Sequence, residues 1–167
     1  ANLIEFALLE HYGGTWIDST VYLTDPIPDM ILNSDFFAVR NSLLLIDNPV
    51  LYPAWFLHAK KGNKTIREIR NVAFAYWLKN KHVIEYLLPN LIITLVVKSN
   101  PEFEQEIPYM NSDYSEYLVK ALADEYSEEK WNWIKKLTGI HELTYKLDAA
   151  VNRKDSFYQH IIAEKNK

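Results

Sequence analysis

The chain has 167 residues, with 18 Lys plus Arg against 22 Asp plus Glu, a formal charge of −4. Its 49% hydrophobic share is enough to bury a core, which excludes a disordered tail, and the acidic balance offers no broad cationic face for duplex DNA or anionic lipid. It contains no Cys, so disulfides and every thiolate ligand or nucleophile are excluded.

In chain order, the spacing of Leu3, Phe6 and Ala7 predicts a helix over 2–11, and Gly13 stands where a left-handed cap ends it. Thr15 to Asp18 and Val21 to Leu23 read as extended, with Pro26 and Pro28 forcing a turn beyond them. Phe36 to Val39 and Leu43 to Ile46 read as two further strands. A long helix is predicted from Thr65 to Lys79, burying Ile66, Ile69, Ala73 and either Tyr76 or Trp77. A second is predicted over His82 to Val96, kinked or divided at Pro89 and ended by Asn100 and Pro101. Ser112 to Glu125 and Ser127 to Leu137 are predicted helices, Leu143 to Leu147 a last strand, and Ser156 with Gln159 a capping box for a terminal helix. The most lipid-like run, Val83 to Val97, holds Glu85, Pro89 and Asn90 and is too short and polar to span a bilayer.

Chemistry concentrates where two of only four glycines, Gly13 and Gly14, join a helix to a strand ending in Asp18. Glycine allows the positive φ of a tight turn and a close approach by backbone or ligand. The strand then delivers a carboxylate followed by the hydroxyls of Ser19 and Thr20, at the strand end where ligands bind in α/β sheets. Such oxygens suit Mg²⁺ or Mn²⁺, although an Asp followed by hydroxyls also does no more than cap a turn. His11, His58, His82, His141 and His160 have no metal-ligand spacing.

The run Leu8-Leu9-Glu10-His11-Tyr12-Gly13-Gly14-Thr15-Trp16-Ile17-Asp18-Ser19-Thr20-Val21 closely resembles the signature of the capsular polysaccharide synthesis protein family, relatives of glycosyltransferases with a DxD sugar-binding region. Looser likeness continues through Trp55-Phe56, Lys60-Lys61-Gly62-Asn63, Tyr76-Trp77, Ile84-Glu85-Tyr86 and Leu143-Thr144-Tyr145-Lys146. The resemblance implies an α/β chain of GT-A-like fold: one glycosyltransferase-like domain over 1–167, with motif helix and strands in 1–48 and a mainly helical acceptor side in 49–167. It also implies a nucleotide-binding part preceding Ala1.

The function so implied is retaining, metal-assisted, hexosyltransferase-like transfer from a nucleotide sugar, a UDP-sugar first, to a growing glycan or lipid-linked oligosaccharide. The setting would be the bacterial cytoplasm at the inner face of the membrane, with at most peripheral attachment. Asp18 and Thr20 would hold Mn²⁺ or Mg²⁺, while Gly13, Gly14, Trp16, Ser19, Thr20 and Lys146 would face the donor. Glu85, on the apolar helix, would join Asp18 as a catalytic group, or else be a solvent-facing residue. Tyr52 and Trp55, which read as exposed aromatics of a proline-broken loop region, and Tyr86 would contact the acceptor. Three departures from the family pattern, Thr20 in place of a second acid, Glu5 in place of a base and Glu142 in place of another, motivate an alternative: a non-catalytic carbohydrate-binding or complex-assembling remnant. A purely helical interaction module is a third possibility.

Overall fold

The computed structural model describes residues 2–42 and 47–165, so the strand predicted over Leu43 to Ile46 lies outside the described residues. In chain order the elements are α1 (Asn2–Tyr12), β1 (Gly14–Ile17), β2 (Val21–Leu23), α2 (Asp29–Leu32), β3 (Phe36–Ala38), β4 (Phe56–Ala59) and α3 (Lys64–Lys79). They continue with α4 (Leu88–Ser99), α5 (Pro101–Glu106), a 3-10 turn (Ser112–Glu116), α6 (Tyr117–Ala121), α7 (Glu128–Leu137), β5 (Ile140–Glu142), a second 3-10 turn (Ala149–Asn152) and α8 (Phe157–Lys165). This is a mixed, helix-rich α/β chain whose described sheets are small and antiparallel.

The described residues divide into two compact units, 2–18 with 28–112 and 19–27 with 113–165. In the first, a three-stranded sheet runs in the order β1-β4-β3, with Thr15 opposite His58 and Phe37 opposite His58 on the other side. The central strand β4 is buried along its whole length, His58 included, so its sequence shows no alternation of apolar and polar residues. Helix α3 begins where the Asn63 side chain accepts the Ile66 N–H at 3.1 Å, and it buries Ile66, Ile69 and Ala73. Tyr76 packs against the same core, whereas Trp77 is 40% exposed. Phe6 and Leu9 of α1, Leu57 of β4 and Ile92, Ile93, Val96 and Val97 of α4 complete it.

The second predicted helix is corrected at its start. Pro89 lies in the first turn of α4, where its missing N–H costs nothing, and it opens the helix without kinking it. Pro101 acts likewise, so Asn100 separates two helices and α5 follows where the sequence suggests only a stop. The stretch 50–54, broken by Pro53, is fastened to α4. The Thr94 hydroxyl accepts the Leu51 and Tyr52 N–H groups at 3.0 and 3.1 Å, and the Asn90 side-chain oxygen accepts that of Ala54 at 3.0 Å.

In the second unit β2 pairs with β5, Val21 opposite Glu142 and Leu23 opposite Ile140. The predicted strand at Leu143 to Leu147 is therefore displaced to Ile140–Glu142, and the Leu143 N–H closes the ribbon on the Thr20 carbonyl at 3.0 Å. The helix predicted over Ser112 to Glu125 divides into a 3-10 turn and the short α6. The Ser127 hydroxyl caps α7 by accepting the Lys130 N–H, and Ser156 caps α8 through the Gln159 N–H at 3.2 Å. The Gln159 amide reaches the Val151 carbonyl instead of closing a capping box. Leu118, Leu122, Trp131, Ile134, Val151, Phe157 and Ile161 form the core of this unit.

His141 is fully buried there, its Nε2 2.9 Å from the Thr24 hydroxyl oxygen. Burial pushes its pKa from 6.5 down to about 4, against a smaller upward pull from Asp25. Between those values the unfolded chain binds a proton that the folded chain refuses, so stability is full above about pH 6.5 and falls as the pH drops towards 4. The expected loss is at most about 3 kcal/mol. Urea midpoints measured across that interval should fall with acid, and the slope should flatten in His141→Asn.

Candidate functional site

The motif is built from α1, the glycine turn and β1. Glu10, near the end of α1, binds Arg70 at 2.6 Å and Arg67 at 3.2 Å, which locks α1 onto α3. The Gly13 N–H returns to the Leu9 carbonyl at 2.9 Å, and the Gly62 N–H donates to the Glu10 carbonyl at 2.8 Å. Gly13 has φ 72°, and a Cβ there would stand 2.6 Å from the backbone N of Lys61. Its close approach is thus to the protein's own Lys60-Lys61-Gly62 loop. Gly14 has φ 108° and open space beside it.

Strand β1 carries Trp16 and ends against Phe56 at Ile17, and Asp18 follows immediately. The Asp18 N–H donates to the Trp55 carbonyl at 3.0 Å, and its Oδ1 accepts the Trp16 indole Nε1–H at 2.8 Å. The carboxylate is half-buried, and among the described residues no cationic side chain pairs with it. On the same strand the Thr15 hydroxyl lies 2.9 Å from His58 Nδ1, and burial, assisted by the charge of Lys60, lowers the His58 pKa. Because this sheet is antiparallel, the ligand-binding rule for parallel strand ends does not explain why Asp18 is presented; the turn after β1 does.

Gly13, Gly14, Trp16, Asp18 and the Trp55 backbone come together in the first unit. Ser19, exposed, and Thr20, half-buried, open the second unit. Lys146 also belongs there. It is exposed, with its Nζ 5.6 Å from the Tyr145 ring centre and its N–H held by the Thr144 hydroxyl. Glu142 is half-buried in β5, and Glu5 is only 1% exposed within α1.

Three expected site residues are placed differently by the structure. Tyr52 and Trp55, read as exposed loop aromatics, are 3% and 6% exposed, because α4 satisfies the backbone of their segment and lets it pack inward. The Tyr52 hydroxyl donates to Glu104 Oε1 at 2.8 Å, and the Arg40 guanidinium lies over its ring. Burial, reinforced by Glu104, pushes the Tyr52 pKa up. Burial alone would raise Glu104, but hydrogen bonds from Lys98 and Tyr52 outweigh it and hold the carboxyl down. Tyr52→Phe is expected to cost about 1–2 kcal/mol in urea denaturation, since Lys98 remains to hold Glu104.

Glu85 does not sit on an apolar helix. It is exposed in the loop before α4, where its Oε1 accepts the Leu87 N–H at 3.3 Å and its carbonyl accepts that of Leu88. Tyr86, 83% exposed, borders an apolar cavity of about 490 Å³ between α1, α3 and α4. The Glu10 pairing and the Thr15–His58 contact escaped the sequence reading because their partners lie 43 to 60 residues away.

Among the described residues, no group of three His, Cys, Asp or Glu side chains is placed to hold a metal ion. Asp18 belongs to no such group, and a single carboxylate would need water or a bound phosphate to complete the shell of a hard cation.

A helix, a two-glycine turn and a strand presenting one unpaired carboxylate define the constellation. Residues 1–161 match the family of the capsular polysaccharide synthesis protein, and the chain belongs to that family. No curated protein matches it. No helix among the described residues is long and apolar enough to cross a membrane.

Proposed function

We propose that this member of a capsule-synthesis family is a glycosyltransferase that moves a sugar from a nucleotide-sugar donor, a UDP-sugar, to a growing polysaccharide or lipid-linked acceptor at the cytoplasmic face of the membrane. The observation that carries the reading is Asp18: half-buried, oriented by Trp16, and without a cation of its own among the described residues. Asp18 would anchor Mn²⁺ or Mg²⁺, which when bound would supply charge neutralisation for a diphosphate leaving group. Trp16 would contribute by holding Oδ1 through its indole N–H, which orients the carboxylate. The Gly13-Gly14 turn holds β1 against the Lys61 backbone, so the carboxylate does not drift.

A second reading, a non-catalytic carbohydrate-binding or complex-assembling remnant, is favoured by the same carboxylate standing alone where a pair is the family expectation. The experiment that separates them is a melting-temperature titration of the protein with UDP and UDP-sugars, with and without Mn²⁺. At ligand about 100-fold above Kd, a rise of roughly 5–10 °C that requires metal is expected. A glycan that stabilises the protein while no nucleotide does so, with or without metal, would favour the second reading and overturn the first.

A further inference from the structure

Away from Asp18, the first unit holds an open polar cleft of about 420 Å³. Strand β1 sets the separation. It pairs Gly14 with Ala59 and Ile17 with Phe56, so the loop that follows Ala59 lies at the opposite end of the strand from Asp18, about 13 Å along its axis. That loop and the first residue of α3 contribute Lys61, Asn63 and Lys64 to the cleft, and α5 contributes Glu102, Phe103 and Glu106.

Both segments are fixed by bonds made outside the cleft. The Gly62 N–H is held by the Glu10 carbonyl at 2.8 Å, and the Asn63 side chain caps α3. On α5, Glu104 is held by the Tyr52 hydroxyl and by Lys98, both at 2.8 Å, while Glu102 and Glu106, one turn apart, share the side that lines the cleft. A site whose walls are already in place loses little freedom when it takes a ligand.

The charges in the cleft are not spent on one another. Lys60 and Asp35, which also line it, are paired at 2.7 Å, but Lys61, Lys64, Glu102 and Glu106 join no ion pair among the described residues. Two ammonium groups against two carboxylates cancel, so the space has no net charge with which to hold a lone anion or cation. It suits a neutral group that donates and accepts at once. A sugar hydroxyl does both, giving its proton to a carboxylate and accepting one from an ammonium, each a charge-assisted bond. The half-buried Phe103 offers an aromatic surface to the apolar C–H side of a sugar ring. The volume lies within the range of about 300–1,000 Å³ usual for small-molecule clefts.

We infer that this cleft is a saccharide-binding site, separate from the Asp18 centre, which holds an uncharged sugar unit between the lysines at the start of α3 and the glutamates of α5. Membership of a polysaccharide-synthesis family makes a glycan the polyol at hand. The binding requires neither nucleotide nor metal, so its failure and the failure of the transferase reading are separate results.

The test is amide NMR of the whole protein titrated with glucose, galactose and N-acetylglucosamine, and separately with inorganic phosphate, in the absence of nucleotide and metal. Saturable shifts at Gly62, Asn63 and Phe103, with none at Trp16 or Asp18, are expected from at least one sugar. Glu102→Gln with Glu106→Gln should weaken that binding by roughly 10-fold, because bonds to charged acceptors become bonds to neutral ones, and Lys61→Gln with Lys64→Gln should do the same. All four side chains are exposed, so the melting curve should stay in place. No saturable shift in these segments with any of the three sugars, or undiminished binding by both double variants, overturns the inference. So does a response to phosphate and to no sugar, since the cleft would then be an anion site.

Discussion

Asp18→Asn is expected to lower sugar transfer by roughly 100- to 1,000-fold while leaving the fold in place. The substitution keeps the shape and the Oδ1 acceptor that receives the Trp16 indole N–H at 2.8 Å, and it keeps the backbone bond to Trp55. It removes only the negative charge, and loss of one preorganised electrostatic group at a site of developing charge typically costs this factor. Stability should shift by no more than about 0.5 kcal/mol, as for other substitutions that break no packing. Two measurements decide the matter: initial rates with a UDP-sugar donor, and the metal-dependent rise in melting temperature. Both should collapse together. If Asp18→Asn transferred sugar at the unmodified rate, Asp18 would have no part in the chemistry.

Gly13→Ala is expected to destabilise the first unit by about 2–5 kcal/mol. Two terms add. A side chain at φ 72° costs about 1–2 kcal/mol, and the new Cβ would lie 2.6 Å from the Lys61 N and 3.2 Å from the Ala59 carbonyl oxygen. Those are backbone atoms of a sheet strand and its following turn, so relief demands movement of the main chain, and overpacking of this sort costs about 1–3 kcal/mol. Gly14→Ala is the internal control. It has φ 108° but nothing within 4 Å of its added Cβ, so only the conformational term applies. Urea denaturation followed through Trp fluorescence should therefore rank Gly13→Ala well below Gly14→Ala. Equal losses would show that the docking on Lys61 contributes nothing.

The parts of the fold that sequence reading recovered are those set by local physics. Helices α1, α3 and α7 have apolar stripes and, for the last two, the side-chain caps Asn63 and Ser127. What escaped it depends on distant neighbours. Strand β4 has no alternation because Phe56, Leu57, His58 and Ala59 are covered on both faces. Strand β5 is placed by its pairing with β2, and no local signal distinguishes Ile140–Glu142 from the equally plausible run at Leu143. Proline was misread at Pro89, since the residue that breaks a helix interior also opens a helix, whereas Asn100 and Pro101 end α4 as expected and Pro101 opens α5 besides. That one misreading put Glu85 on a helix face it does not occupy. In the candidate site the signature located Asp18 and its glycines, whereas the inward burial of Tyr52 and Trp55 came from Thr94 and Asn90, some forty residues away.

The pairing of β2 with β5 also governs how the chain can be made. Residues 21–23 leave the ribosome long before residues 140–142 exist to meet them, an interval on the order of 10 s at ordinary synthesis rates. Throughout it, a nascent strand edge stands open between two stretches that can already condense with their own neighbours. Slowed translation, or release of a truncated chain before position 140, should therefore yield aggregates seeded at Val21–Leu23, and solubility during expression should depend on how soon the last third of the polypeptide arrives.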